Sequence, residues 1–250
     1  VSTFAPKTKK RIAVMKLVFA TGNSGKLREA SEILGEGFEL VTPASMGLEE
    51  EIPETGSTIS ANSLQKARYI YDRLSCDCFA DDTGLEVEVL SGEPGVNTAR
   101  YAGPQHDPED NMAKLLGSMD MRLMEASMAR EFGVDTVHAT RKARFRTVVT
   151  LFLGGEAHYF EGVLEGKIGL GKKGDGGFGY DPVFIPDLVP KGEITLPEGS
   201  SFTLEADGNG LVRNIFRLTL AQISEEGKNA ISHRGKALGQ MAEFLHNERS

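Results

Sequence analysis

The chain opens with an order of elements that restricts its fold more than any other feature. Lys16 to Ala20 (KLVFA) is a compact apolar run that reads as a buried strand. Thr21-Gly22-Asn23-Ser24-Gly25-Lys26 follows as a turn. Leu27 to Leu34 then places Leu27, Ala30, Ile33 and Leu34 on one helical face. Strand, glycine turn and helix in that order begin an α/β fold.

The same alternation continues. Phe38 to Val41 reads as a second strand and Ile59 to Leu74 as a helix with Leu64, Ala67, Ile70, Tyr71 and Leu74 inward. Cys76 to Ala80 is expected to be a short strand ending at Asp81-Asp82-Thr83-Gly84, with a separate strand over Leu85 to Leu90. Asp110 to Met119 is helical, and Arg122 to Phe132 has a helical look within a polar stretch. Ala143 to Leu153 and Ala157 to Ile168 pair as a hairpin around Gly154-Gly155. Val183 to Ile185 is a short strand, and 187–217 has no legible structure. Lys236 to His246 closes the chain as a helix. Residues 1–14 read as a tail, and 15–250 as one domain of a length that can bury a substantial core.

Charge narrows the function classes. The net charge is −8, which disfavours gripping a nucleic-acid backbone but leaves a small polyanion possible where a few cations cluster. No run is apolar enough to span a membrane, so a cytoplasmic location is the default. Cys76 and Cys78 are too few for a thiolate zinc site and read as strand thiols.

Four clusters could carry chemistry. The first is Thr21 to Lys26, where small residues let backbone N–H groups approach an anion and Lys26 adds a point charge. It is not a Walker loop, because Leu27 stands where a metal-ligating hydroxyl belongs, and a plain glycine turn is the alternative. The second is Asp81-Asp82, two neighbouring carboxylates that point in different directions and can take different tasks; a solvated aspartate turn is the alternative. Glu54 could add an oxygen ligand. The third is Gly174 to Pro182 (GDGGFGYDP), whose Phe178 could stack on a base and whose Asp181 could touch a base edge, against a hairpin with incidental aromatics. The fourth is a loop holding Lys228 and Ser232-His233-Arg234, donors suited to phosphate or base oxygens.

Taken together, FATGNSGKLREASEIL, the ETG at Glu54, FADDTGLEVEVLSGEPGVNTARYAG, ARFRTVVTL, GDGGFGYDPVF and EEGKNAISHRGKAL resemble the inosine triphosphate pyrophosphatase family, in family order. The resemblance implies an elongated α/β fold, a twisted mixed sheet with flanking helices and two lobes around a central cleft. It implies an Mg²⁺-dependent hydrolase that cuts non-canonical purine nucleoside triphosphates (ITP, dITP, XTP) to monophosphate and pyrophosphate, usually as a homodimer. On this resemblance Thr21, Gly22, Asn23, Ser24, Gly25 and Lys26 hold the triphosphate, and Lys66 reaches phosphate too. Asp82 is the proton acceptor and a metal-site residue, with Glu54 and Asp81 as metal partners. Thr83 touches substrate; Phe178, Gly179, Tyr180 and Asp181 frame the base; Lys228, His233 and Arg234 complete recognition.

The chain departs from that pattern at Ala61, where the family often has an acidic residue, and at Ser63, where a small apolar residue is usual. Segments 119–140 and 190–217 read as insertions. Two other readings are weaker: a nucleotide-binding protein that kept the cleft without turnover, and a Maf-like hydrolase of similar fold, whose opening loop differs from TGNSGK.

Overall fold

A computed structural model describes residues 14–132, 140–198, 200–201 and 203–249. The expected tail, apart from Val14, and residues 133–139 of the first expected insertion lie outside the described residues.

The opening unit forms in the expected order, but the helix starts at Ser24, so Ser24, Gly25 and Lys26 are its first turn rather than part of the preceding turn. β1 (Met15–Phe19) leads to α1 (Ser24–Leu34), then β2 (Phe38–Val41) and α2 (Ile59–Leu74). β3 runs Cys78–Val87 and β4 is the two residues Pro94–Gly95. α3 (Pro108–Glu131) precedes the long hairpin of β5 (Lys142–Leu153) and β6 (Glu156–Ile168), which turns at Gly154 and Gly155, both at positive φ. β7 (Phe184–Pro186), β8 (Leu188–Pro190), β9 (Leu211–Arg213), α4 (Glu225–Ile231) and α5 (His233–Glu248) complete the chain. The main sheet has the order β2-β1-β3-β5-β6-β7, with β4 on β3; β8 and β9 form a separate ribbon. β1 is parallel to β2 and β3, and the pairs from β3 through β7 are antiparallel, so the sheet is mixed.

Strand alternation sorts the core into two faces. Leu17, Phe19 and Phe79 pack with α1 and with Ala237, Leu238 and Met241 of α5. Val18, Ala20, Cys78 and Ala80 pack with Ala67 and Ile70 of α2. A third cluster, around Leu85, Leu115, Phe145 and Phe184, fills the far side of the molecule. Gly162 of β6 lets α5 sit directly on the sheet, because a Cβ there would overlap the carbonyl of His233.

Four expectations need correction. Asp81 to Gly84 is not a turn between two strands but the middle of β3, paired residue by residue with Val149 to Arg146 of β5. Sheet pairing and the ion pairs described below override the turn preference of an Asp-Asp-Thr-Gly run. Arg122 to Glu131 continues α3 rather than starting a second element, with Leu123 and Ala126 half-buried and Met121, Met124 and Met128 exposed. Segment 190–217 is structured in part: β8 and β9 form a ribbon, and Glu193 accepts from Ser224 N at 3.1 Å and from its hydroxyl, bracing the start of α4. Lys228, expected in a loop, lies on α4 itself.

The Ser63 departure has a structural reason. Its buried hydroxyl bonds to the Thr150 hydroxyl at 2.8 Å and donates to the Ala80 carbonyl at 3.1 Å, tying α2 to the sheet.

Candidate active site

The cleft follows from how β3 is paired. β1 leaves its edge at Phe79, and β4 joins only at Leu85. Among the described residues, the stretch carrying Asp81, Asp82 and Thr83 therefore has one edge without a strand partner. Because neighbouring strand residues point to opposite faces, Asp81 continues the Phe79 face toward α1 and α5, and Asp82 continues the Ala80 face toward α2.

Each aspartate meets different cations. Asp81 is 1% exposed; Lys26 Nζ lies 2.9 Å from both its oxygens, and Arg234 Nε donates to it at 3.0 Å. Arg234 also donates to Glu29 at 3.1 Å. Burial alone would raise the Asp81 carboxyl, but Lys26 and Arg234 outweigh it and hold it well below the usual carboxylate range. Asp82 instead faces Lys66, whose Nζ lies 3.2 Å from Asp82 and 2.7 Å from Glu54. Burial pushes the Asp82 carboxyl up, and Lys66 offsets this only in part. Burial opposes the Lys66 charge, yet Asp82 and Glu54 prevail and its pKa rises.

Two cavities meet at these residues. One, of about 470 Å³, is lined by Thr21, Gly22, Lys26, Glu54, Lys66 and Asp81. The other, of about 480 Å³, is lined by Thr83, Phe145, Phe178, Asp181, Lys228, His233 and Arg234, among others. The first is rich in charge of both signs, with Glu49, Glu50 and Glu51 also on its wall, and the second has an apolar floor of Phe145, Leu164 and Leu220.

The turn after β1 performs less directly than its sequence suggests. Asn23 caps α1, its Oδ1 accepting from Gly25 N at 2.8 Å and Lys26 N at 3.1 Å, so those two backbone donors are already used. Asn23, Ser24 and Gly25 are not among the cavity-lining residues; Thr21, Gly22 and Lys26 are. Asp81, expected in the metal set, has its oxygens paired with Lys26 and Arg234.

The glycine loop is split between site and core. Phe178 is 81% exposed at the mouth of the second cavity, and Gly179 beside it takes a positive φ of 59°. Tyr180 belongs to both: it is 4% exposed, its hydroxyl donates to the Thr98 carbonyl at 3.0 Å, and it lines the second cavity. Asp181 accepts from Phe178 N at 3.1 Å and lies 3.8 Å from Lys228 Nζ; burial raises its carboxyl, against the pull of that backbone donor and of Lys228. Gly177 must lack a side chain, because a Cβ would collide with the Asp181 carboxylate. Thr83 bonds to the Thr147 hydroxyl at 2.7 Å.

His233 stacks on Phe145 at 5.1 Å, and among the described residues its buried Nδ1 has no hydrogen-bond partner. Burial, with Arg234 and Lys236 adding, holds the imidazole down at about 3 from an ordinary 6.5. The unfolded chain therefore binds a proton that the folded chain refuses. The stability from this neutral imidazole is full above pH 6.5 and falls as pH drops toward 3. Between pH 7 and 5 the wild type should lose roughly 2 kcal/mol more than His233→Asn. Urea unfolding at both pH values measures this; equal losses would show that the imidazole titrates alike in the folded and unfolded chain.

Sequence reasoning missed Glu29 and Phe145. Glu29 lies three residues after Lys26 on α1, a spacing that puts both on one helix face and could have been read. Phe145 looks like any strand aromatic until β5 is placed beside α5.

A profile of the Ham1 family matches residues 17–244. The chain is 40% identical to the dITP/XTP pyrophosphatase of Flavobacterium psychrophilum over 233 residues, 93% of this chain and 100% of that one. It is 40% identical to the dITP/XTP pyrophosphatase of Porphyromonas gingivalis over 92% of this chain and 97% of the other. Among solved structures, the Ham1 protein of Staphylococcus aureus superposes with a TM-score of 0.70 at 30% identity, covering 93% of this chain and 99% of that one. The HAM1 protein of Coxiella burnetii gives 0.73 at 28% identity, covering 94% and 100%.

Proposed function

The chain belongs to the Ham1 family, and from that premise we propose that it hydrolyses the non-canonical purine nucleoside triphosphates ITP, dITP and XTP to the monophosphate and pyrophosphate. The observation that carries this reading is the pair of cavities, one lined by Lys26 and Lys66 together with carboxylates and one apolar-floored, on either side of the linked side chains of Lys26, Asp81 and Arg234. A triphosphate fits the first and a purine the second.

Asp82 takes the proton from a water that attacks the α phosphorus. The bond from that phosphorus to the bridging oxygen breaks, and pyrophosphate leaves. Burial makes the Asp82 carboxylate a stronger base than one in water. Lys26, at the cavity wall, meets the negative charge that gathers on the leaving group. Lys66 holds Glu54 and Asp82 side by side on one ammonium, two hard oxygen donors of which Glu54 lines the first cavity.

That donor set fits Mg²⁺, which takes one or two carboxylates and completes its shell with substrate phosphates and water. Glu54 and Asp82 would hold the ion, which when bound neutralises phosphate charge and polarises water.

Base choice rests on the second cavity. Hypoxanthine and xanthine carry an oxo acceptor at the six position and a donor at the adjoining nitrogen; adenine reverses both. Asp181 offers an acceptor beside the donors of Lys228. Adenine would leave both unpaired, a mismatch worth several powers of ten. Phe178, exposed at the cavity mouth, offers a face for stacking.

Steady-state rates for ITP, dITP, XTP, GTP and ATP test the reading. With Mg²⁺ the first three should exceed ATP in kcat/KM by about 10²-fold or more, and a chelator should abolish turnover. Equal rates with ATP would remove the base-side assignment. On the family resemblance we place it as a nucleotide-pool enzyme of the cytoplasm that acts as a homodimer.

A further inference from the structure

The wall between the two cavities is made of charged side chains. Lys26 lines the phosphate side and Arg234 the base side. Asp81 lies between them, 1% exposed, 2.9 Å from Lys26 Nζ and 3.0 Å from Arg234 Nε. The three come from α1, β3 and α5, and Glu29 closes the string beyond Arg234 at 3.1 Å.

A buried anion shared by two cations ties their behaviour together. With Arg234 in place, the Asp81 charge is divided, and Lys26 can turn toward a phosphate without leaving a bare buried carboxylate. With Arg234 neutralised, Lys26 becomes the main counter-charge of Asp81 on this face of the strand. Moving it toward a phosphate would then expose an uncompensated buried charge.

We propose that Asp81 is a positioning residue that couples the two halves of the site, so that Arg234, on the base side, sets how freely Lys26 engages phosphate. This rests on the phosphate-side reading of the Lys26 cavity. It assigns Asp81 a task different from metal ligation, and it makes base recognition and phosphate grip parts of one circuit rather than two independent contacts.

The test uses a ligand with no base. Inorganic tripolyphosphate should bind the wild type, measured by calorimetry. Arg234→Gln should weaken that binding about five- to hundredfold, the range of ordinary site–site coupling, although Arg234 does not line the phosphate cavity. Arg234→Lys, which keeps a cation near Asp81, should restore affinity to within about twofold while leaving purine recognition impaired. In an Asp81→Asn background Arg234→Gln should lose its effect, since the shared anion is gone. If Asp81→Asn does not fold, the lysine rescue decides alone. An unchanged affinity in Arg234→Gln, a failure of lysine to rescue, or the same loss in both backgrounds overturns the coupling while leaving the phosphate cavity in place. If the wild type binds no tripolyphosphate, the phosphate-side reading fails and the coupling fails with it.

Discussion

Asp82→Asn is expected to bind ITP within a few-fold of the wild type and to turn it over about 10²–10⁴ times more slowly, the usual contribution of a positioned general base. Asparagine keeps the shape and one oxygen near Lys66 but cannot take a proton. Lys66 keeps Glu54 at 2.7 Å, so the phosphate cavity retains its wall. The loss should fall on kcat, because the group acts on the attacking water rather than on the bound nucleotide. Binding by calorimetry and single-turnover rates separate the two, with the unfolding midpoint as a control on the fold. Full activity in a folded Asp82→Asn protein would take Asp82 out of the mechanism.

Asp81→Ala should act mainly on stability. It removes a 1%-exposed carboxylate and leaves the ammonium of Lys26 and the guanidinium of Arg234 facing each other without their shared anion. Removing one partner from a buried ion pair costs about 3–5 kcal/mol, a large part of the 5–15 kcal/mol that holds a typical domain together. Asp81→Asn keeps one acceptor oxygen and the strand geometry, so it should be milder. Urea unfolding near neutral pH measures both. A loss below about 1 kcal/mol for alanine would mean that solvent screens the pair as it screens exposed ones, against the burial described above.

Much of this was legible before the structure. The strand–turn–helix opening, the helix from Ile59 to Leu74 and the hairpin at Gly154-Gly155 follow from hydrophobic period and turn chemistry, and each forms as read. Adjacent aspartates at a strand were expected to point apart and take different tasks, and in the structure they do point to opposite faces. Their partners were not legible. Lys26 is 55 residues from Asp81 and Arg234 is 153 away, so only the packing of α1 and α5 on one face brings them together. The run Asp81 to Gly84 reads locally as a turn because its residues favour turns, and the long pairing with β5 overrides that preference. Asn23 shows the reverse case. Its sequence position suggested an anion loop, but a helix start needs a cap, and the side chain meets that need first. The ribbon of β8 and β9 escaped because its strands are three residues each, too short to show a period.

If one nucleotide spans both cavities with its α phosphorus facing Asp82, water enters at that phosphorus. Hydrolysis of ITP in water enriched in heavy oxygen, with products resolved by phosphorus NMR, shows where it enters. Inosine monophosphate should carry the label and pyrophosphate none, with no orthophosphate formed. Label in the pyrophosphate, or release of orthophosphate with inosine diphosphate, would place the attack at another phosphorus and contradict that arrangement.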